Sequence, residues 1–273
     1  MSDFHIHSIY SDGGYTIKKI VEKAKQLDLK AIALTDHDTI DGVASFLEYA
    51  KEQKITAISG CEFSGKPPYN PDYTELHILA YNFKNLAPVY DFMKLLKEKS
   101  FEYAKNCVFD AQQKGIDVDF ERIIADNVGI FTCIDYVKYL IKIKAIKTTQ
   151  EGYDKFIHNN KTLIDIVSPR EEIMQVINES GAISVLAHPF KLKMNNDDLR
   201  IYVKELVNLG LNGIEVWHNG HTKENIAFYR ELAKEFGLIE TGGSDFHDDD
   251  GRGNEIGHYV SEGKKYKLDL KLF

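Results

Sequence analysis

His5 and His7, in Asp3-Phe4-His5-Ile6-His7, lie two residues apart in a strand-like segment, so their imidazoles leave one face and can share a metal ion. Potential ligands recur at or just after the ends of short apolar runs. Ala31-Ile32-Ala33-Leu34 leads into Thr35-Asp36-His37-Asp38, Ile55-Thr56-Ala57-Ile58 into Gly60-Cys61-Glu62, and Leu76-His77-Ile78-Leu79 carries a histidine within the run. Ala182-Ile183-Ser184-Val185-Leu186-Ala187 ends in His188-Pro189, and Ile239-Glu240-Thr241-Gly242-Gly243 opens into Ser244-Asp245-Phe246-His247. Six of the ten histidines (His5, His7, His37, His77, His188 and His247) occupy such positions, accompanied by Asp12, Glu62 and Asp245. That is too many for independent structural choices, and metal binding is the reading that joins them.

The elements that must position these groups are legible in the periodicity. Ile17, Ile20, Val21, Ala24 and Leu27 share a helical face just before the run that starts at Leu29. In the last third, helices are predicted near 170–180, 196–209 and 222–236, alternating with strands at 182–187, 213–216 and 238–239. Such βα alternation predicts a parallel sheet, open or closed into a barrel. In such folds functional groups gather where the carboxyl ends of the strands converge, which is where the candidates fall. Between about 85 and 167 the alternation gives way to helices. One has Val89, Phe92, Met93 and Leu96 on a face, and another starts in Asp117-Val118-Asp119-Phe120-Glu121.

A chain of 273 residues can bury a full core, as one large domain or a barrel carrying an insertion. No stretch approaches the roughly 18 continuous apolar residues of a membrane span. The net charge of −8 disfavours broad adhesion to nucleic acid or anionic membrane, so no stable partner of either kind is expected. Cys61, Cys107 and Cys133 are an odd, scattered set without CxxC spacing, which argues for a reducing compartment. The start, Met1-Ser2-Asp3-Phe4-His5, has neither a basic region nor an apolar signal segment, and a cytoplasmic protein is the expectation.

In order along the chain, His5-Ile6-His7-Ser8 with Ser11-Asp12-Gly13, Leu34-Thr35-Asp36-His37-Asp38, Gly60-Cys61-Glu62, Leu76-His77, Ala187-His188-Pro189 and Gly242-Gly243-Ser244-Asp245-Phe246-His247 resemble the polymerase and histidinol phosphatase (PHP) superfamily of metal-dependent phosphoesterases, in its nucleotide-phosphatase-like branch. The resemblance implies an α/β fold, a distorted (β/α)7 barrel formed by residues 1–84 and 168–273, with a helical subdomain inserted at 85–167. It implies three divalent ions. His5, His7, Glu62 and Asp245 would hold one, Glu62 would bridge to a second shared with His77 and His188, and Asp12, His37 and His247 would hold the third. Imidazole and carboxylate ligands suit Zn, Fe or Mn. Three such ions leave about three excess positive charges locally, which draws phosphate to an acidic protein. Closely spaced metals activate a bridging hydroxide for in-line displacement on phosphorus.

Other positions are read with alternatives. Asp36 and Asp38 flank a ligand and either orient an imidazole, cap a helix beginning near Thr39, or protonate the leaving group. Lys191 stands where many relatives carry an arginine and is a phosphate-binding candidate. His218 and His221, after the run ending at Val216, are candidates for substrate contact, and His221 for proton transfer; His158 and His258 read as structural or exposed. In the insertion, such relatives show a Gly-Arg-Pro-His type segment, preceded by arginines in a long helix. Here stand Gly129-Ile130-Phe131-Thr132-Cys133 and Lys97-Glu98-Lys99-Ser100-Phe101-Glu102. The implied activity is hydrolysis of a small phosphate monoester, a nucleotide or nucleoside 3′,5′-bisphosphate, with a smaller ester or a substrate stacked on Phe131 as variants. The alternatives are a histidinol-phosphate phosphatase, a short-oligonucleotide 5′-3′ exonuclease and a non-catalytic metal-binding module.

Overall fold

Seven strands form one sheet whose sequential order is also its spatial order: β1 (Ser2–Asp3), β2 (Ala31–Leu34), β3 (Thr56–Gly65), β4 (Leu76–Tyr81), β5 (Ile183–Leu186), β6 (Gly213–Trp217) and β7 (Ile239–Gly242). The computed structural model describes residues 1–68, 75–125, 129–157, 167–248, 254–268 and 270; His158 lies outside the described residues. The sheet curls until its ends meet. His7 N donates to Phe246 O at 2.9 Å, and Ile6 bridges Phe246 in parallel. This is a mixed α/β, nearly closed and distorted barrel.

The contacts divide the chain into two compact units, Met1–Val89 with Ser168–Phe273, and Tyr90–Val167. In the first, α1 (Ile17–Gln26) and α2 (Val43–Gln53) cover the first strands. Ile20, Val21, Ala24, Phe46 and Ala50 pack there with Ile32 and Leu34, while the alternate residues Ala31 and Ala33 pack with Phe4, Leu79, Tyr81 and Val185. A strand buried on both faces explains why 31–34 is apolar throughout. Each large side chain buried there contributes about 1.5–3 kcal/mol.

In the second unit, α3 (Ala87–Gln113) from Tyr90 on, α4 (Phe120–Ile124), α5 (Cys133–Lys142) and α6 (Thr149–Gly152) precede a π-helical turn at Tyr153–Ile157. Asp119 caps α4, its carboxylate accepting from Arg122 N at 2.8 Å. The core joins Tyr103, Cys107, Phe131, Tyr136 and Leu140. Phe131 is only 1% exposed, so it cannot serve as the stacking platform that the sequence suggested.

The chain then returns through α7 (Arg170–Glu179), α8 (Asn196–Asn208) and α9 (Lys223–Phe236), each preceding a strand or lying between two. Two features depart from simple βα repetition. β4 runs antiparallel to both β3 and β5, so the sheet is not wholly parallel. A hairpin, β8 (His258–Ser261) with β9 (Lys264–Lys267), follows the barrel. The helix expected near Thr39 begins at Val43 with Gly42 as its cap, so neither Asp36 nor Asp38 caps it.

Candidate metal centre

The end of the barrel where β1, β2, β5, β6 and β7 terminate collects every candidate ligand. His5, His7 and Asp12 follow β1, His37 follows β2, Glu62 lies within β3, His188 follows β5, and Asp245 and His247 follow β7. β4 runs the other way, so its second residue, His77, reaches this same end, opposite Ser64 in the register. Close passage of backbone is built in: a Cβ at Gly243 would overlap His5, and one at Gly13 would lie 2.6 Å from the His7 carbonyl.

Glu62 is the hub. Its Oε2 lies 2.9 Å from His5 Nε2, 3.2 Å from His7 Nε2 and 3.5 Å from His37 Nδ1. Its Oε1 lies 3.0 Å from His77 Nδ1 and 2.9 Å from His188 Nε2. Burial works against its charge, but the imidazoles of His5, His37 and His77 outweigh it and hold the carboxyl well below the usual range. Asp245 Oδ1 lies 3.3 Å from His5 Nε2 and 3.2 Å from His7 Nε2, while Oδ2 lies 3.1 Å from His218 Nε2 and 3.7 Å from Lys191 Nζ. Asp12 Oδ2 meets His247 Nε2 at 3.2 Å, and the His247 ring stacks on His7 at 4.2 Å.

Burial opposes charge on His7, yet Asp245, Glu62 and Asp12 prevail and push it up to about 10. Burial pushes His37 down to about 3, aided by the neighbouring His7 and His77. Asp38 is pushed up to about 6 by burial, against the hydrogen bond its Oδ1 accepts from Ser64 N at 2.9 Å.

These groups fit metal ions. His7 Nδ1 and Nε2 and His37 Nδ1 are buried without a directed hydrogen-bond partner, an arrangement that costs free energy unless an acceptor of a ring lone pair is present. Donor atoms fall within 4.8 Å of one another in His5/His7/Glu62/Asp245, in His7/Asp12/His37/His247 and in His37/Glu62/His77. The mixed nitrogen and oxygen donors suit divalent transition metals.

The remaining candidates have defined surroundings. Asp36 accepts from Ser8 N at 2.6 Å, Ser8 Oγ at 2.7 Å and Ser11 Oγ at 2.7 Å, tying the loop after β1 to that after β2. Lys191 Nζ lies 3.1 Å from Glu75 Oε2 as well as near Asp245. His221 is buried among Phe190, His218 and Tyr229, with Nδ1 2.8 Å from Val216 O. His258 is half-buried in β8.

Two carboxylates escaped the sequence reading. Asp3, fully buried, accepts from His5 N, Ser244 N and Gly257 N at 3.2, 3.0 and 2.7 Å. Glu215, equally buried, lies 3.0 Å from His5 Nδ1 and accepts from His188 N at 2.8 Å. The available signal was an acid inside the apolar run Gly213-Ile214-Glu215-Val216.

A strand-end collection of histidines and carboxylates on an α/β barrel defines a metal-dependent hydrolase. The PHP domain family model matches residues 3–169, and the chain belongs to that family of metal-dependent phosphoesterases. A phosphoribosyl 1,2-cyclic phosphate 1,2-diphosphodiesterase of Eggerthella lenta is 30% identical over 95% of this chain and 99% of its own. A 5′-3′ exoribonuclease of Haemophilus influenzae is 28% identical over 90% and 89%, and a 3′,5′-nucleoside bisphosphate phosphatase of Chromobacterium violaceum 25% identical over 94% and 90%. A solved Chromobacterium violaceum structure, described as an amidohydrolase with bound sulfate, shares the fold at a TM-score of 0.77 and 23% identity, covering 98% of this chain and 91% of that one. Among the described residues no helix is long and apolar enough to cross a membrane.

Proposed function

We propose that the chain hydrolyses a small phosphate monoester, a nucleotide or nucleoside 3′,5′-bisphosphate, at a centre of three divalent ions drawn from Mn, Zn and Fe. The observation that carries this reading is the division of Glu62, whose Oε2 faces His5 and His7 while Oε1 faces His77 and His188. One carboxylate between two imidazole groups suits a bridge between two ions. His5, His7, Glu62 and Asp245 would hold the first, Glu62, His77 and His188 the second, and Asp12, His37 and His247 the third. Bound ions would supply Lewis acidity, neutralising phosphoryl oxygens and lowering the pKa of a water so that it can lose a proton and attack phosphorus.

The protein's own groups supply the rest. Lys191, within 3.7 Å of Asp245, offers a cation to the phosphate. Of the carboxyls beside His37, Asp36 is already engaged by Ser8 and Ser11, leaving Asp38, pushed up to about 6, to protonate the leaving oxygen. His218, beside Asp245, is placed for substrate contact, with His221 packed against it. The substrate class draws on the Chromobacterium violaceum bisphosphate phosphatase. A second reading, a 5′-3′ exonuclease on short oligonucleotides, is favoured by the Haemophilus influenzae exoribonuclease and opposed by the net charge of −8.

The test is phosphate release from mononucleotides, 3′,5′-bisphosphates, histidinol phosphate and short oligonucleotides, with protein loaded with Mn, Zn or Fe in turn. Selective bisphosphate turnover that disappears in Glu62→Gln is expected. Stepwise shortening of a labelled oligomer would establish the exonuclease instead, and no turnover at full metal occupancy would overturn both.

A further inference from the structure

Both oxygens of Glu215 are engaged by residues of the proposed ligand set. Oε1 lies 3.0 Å from His5 Nδ1 and Oε2 accepts from the His188 backbone N at 2.8 Å. The carboxylate is fully buried in β6, between β5, which delivers His188, and β7, which delivers Asp245. With Nδ1–H donating to Glu215, a His5 that has given up its other proton to bind a metal would present the lone pair of Nε2, the atom 2.9 Å from Glu62 Oε2. His188 in turn has φ 25° and ψ 65°, a backbone conformation that a side-chain-bearing residue keeps only when its surroundings over-determine it. The bond to Glu215 is one such constraint. It holds the residue whose Nε2 lies 2.9 Å from the other oxygen of Glu62.

We infer that Glu215 is a positioning residue for the metal centre, its one carboxylate setting the spacing of the His5 and His188 imidazoles that meet opposite oxygens of Glu62. The inference rests on the proposed centre, in which those histidines belong to two ions sharing Glu62. Glutamine is nearly isosteric but has only one accepting oxygen, so either His5 Nδ1–H or His188 N–H would confront an amide donor. Asp12 pairs with His247 and His37 lies against Glu62, and no ion pair described for these three residues involves Glu215, so a third ion held there would be independent of it.

The experiment measures Zn and Mn binding to full-length wild type and Glu215→Gln, with circular dichroism and thermal unfolding as folding controls. Two ions are expected to bind about 10- to 100-fold more weakly while the third is retained, the range seen when partners behind a ligand are lost. Unchanged binding of all ions, or equal weakening of all three, overturns the inference. Should the variant not fold, long-range 1H–15N spectra of the Zn-loaded wild type decide: a His5 proton on Nδ1 supports the role, and one on Nε2 overturns it. A wild type that takes up no metal overturns the proposed centre together with this inference, whereas normal wild-type uptake with an indifferent variant overturns the inference alone.

Discussion

Asp12 and His247 stand 235 positions apart, yet Asp12 Oδ2 lies 3.2 Å from His247 Nε2. Burial opposes the Asp12 charge, but His247, His37 and His7 hold its carboxyl well below the usual range. In the proposed assignment this pair and His37 hold the third ion, and Asp12 touches neither Glu62 nor Asp245. Asp12→Asn is therefore expected to lose one ion of the three and keep the others. Metal analysis of the purified variant checks this, and full occupancy at all positions would count against the assignment.

Glu62 is the more severe site. A glutamine there offers one oxygen to imidazoles on two sides, so one ion of the proposed pair loses an oxygen ligand and the other keeps only a neutral amide oxygen. Turnover in Glu62→Gln should fall by more than the roughly hundredfold that outer contacts alone are worth. The fold should survive, because the barrel is held by its backbone ladder and by apolar packing away from this end. Phosphate release and far-UV circular dichroism on the same sample separate the two effects; retention of wild-type turnover would remove Glu62 from the chemistry.

The metal-binding character was legible because the ligands follow apolar runs, and a barrel of parallel strands brings such run ends together whatever their separation in sequence. His5 and Asp245 meet for that reason. Glu215 was not legible. An acid at Ile214-Glu215-Val216 reads as the outward residue of an alternating strand, and its burial follows from a barrel interior that is polar at one end. The reversal of β4 was hidden as well, since Leu76–Tyr81 has the same apolar composition in either direction. Phe131 failed as a stacking platform because burial of an aromatic is decided by α3 and α5 around it, not by its flanking residues.

Gly243 is required by proximity. An added Cβ would overlap the Cβ and backbone nitrogen of His5, atoms that cannot move without displacing a proposed ligand. Gly243→Ala should cost about 1–3 kcal/mol of stability, the usual range for overpacking. It should also weaken metal binding. Thermal unfolding with and without metal tests this, and a variant as stable and as metal-loaded as wild type would show that the β7 exit has room to shift.

Lys191 is half-buried against Glu75 and Asp245, and these carboxylates raise its pKa despite the partial burial that opposes its charge. It remains a cation at working pH. If it grips the phosphate, Lys191→Met removes a charge-assisted contact worth about 1.5–3 kcal/mol, so KM should rise roughly tenfold or more. The metal content should not change. Steady-state kinetics with the best ester from the panel measure it, and an unaltered KM would leave Lys191 a structural ion-pair partner.

Metal uptake should release protons. In the metal-free protein burial disfavours charge on His7, but Asp245, Glu62 and Asp12 push it up to about 10, and His5 and His77 are raised by the same carboxylates. At neutral pH these rings carry protons that a metal must displace, since only the neutral imidazole is a ligand. Apparent affinity should therefore climb as pH rises from about 7 towards 10, by up to about tenfold per pH unit for each proton displaced. The metal-free fold should respond in the opposite sense. The raised His7 pKa gives stability that is fully present below the ordinary imidazole value of about 6.5 and is lost as pH rises through about 10. Calorimetric titration with Zn in buffers of different ionisation enthalpy counts the protons directly. A buffer-independent heat would mean that the rings are already neutral and that the carboxylates do not hold protons in the empty centre.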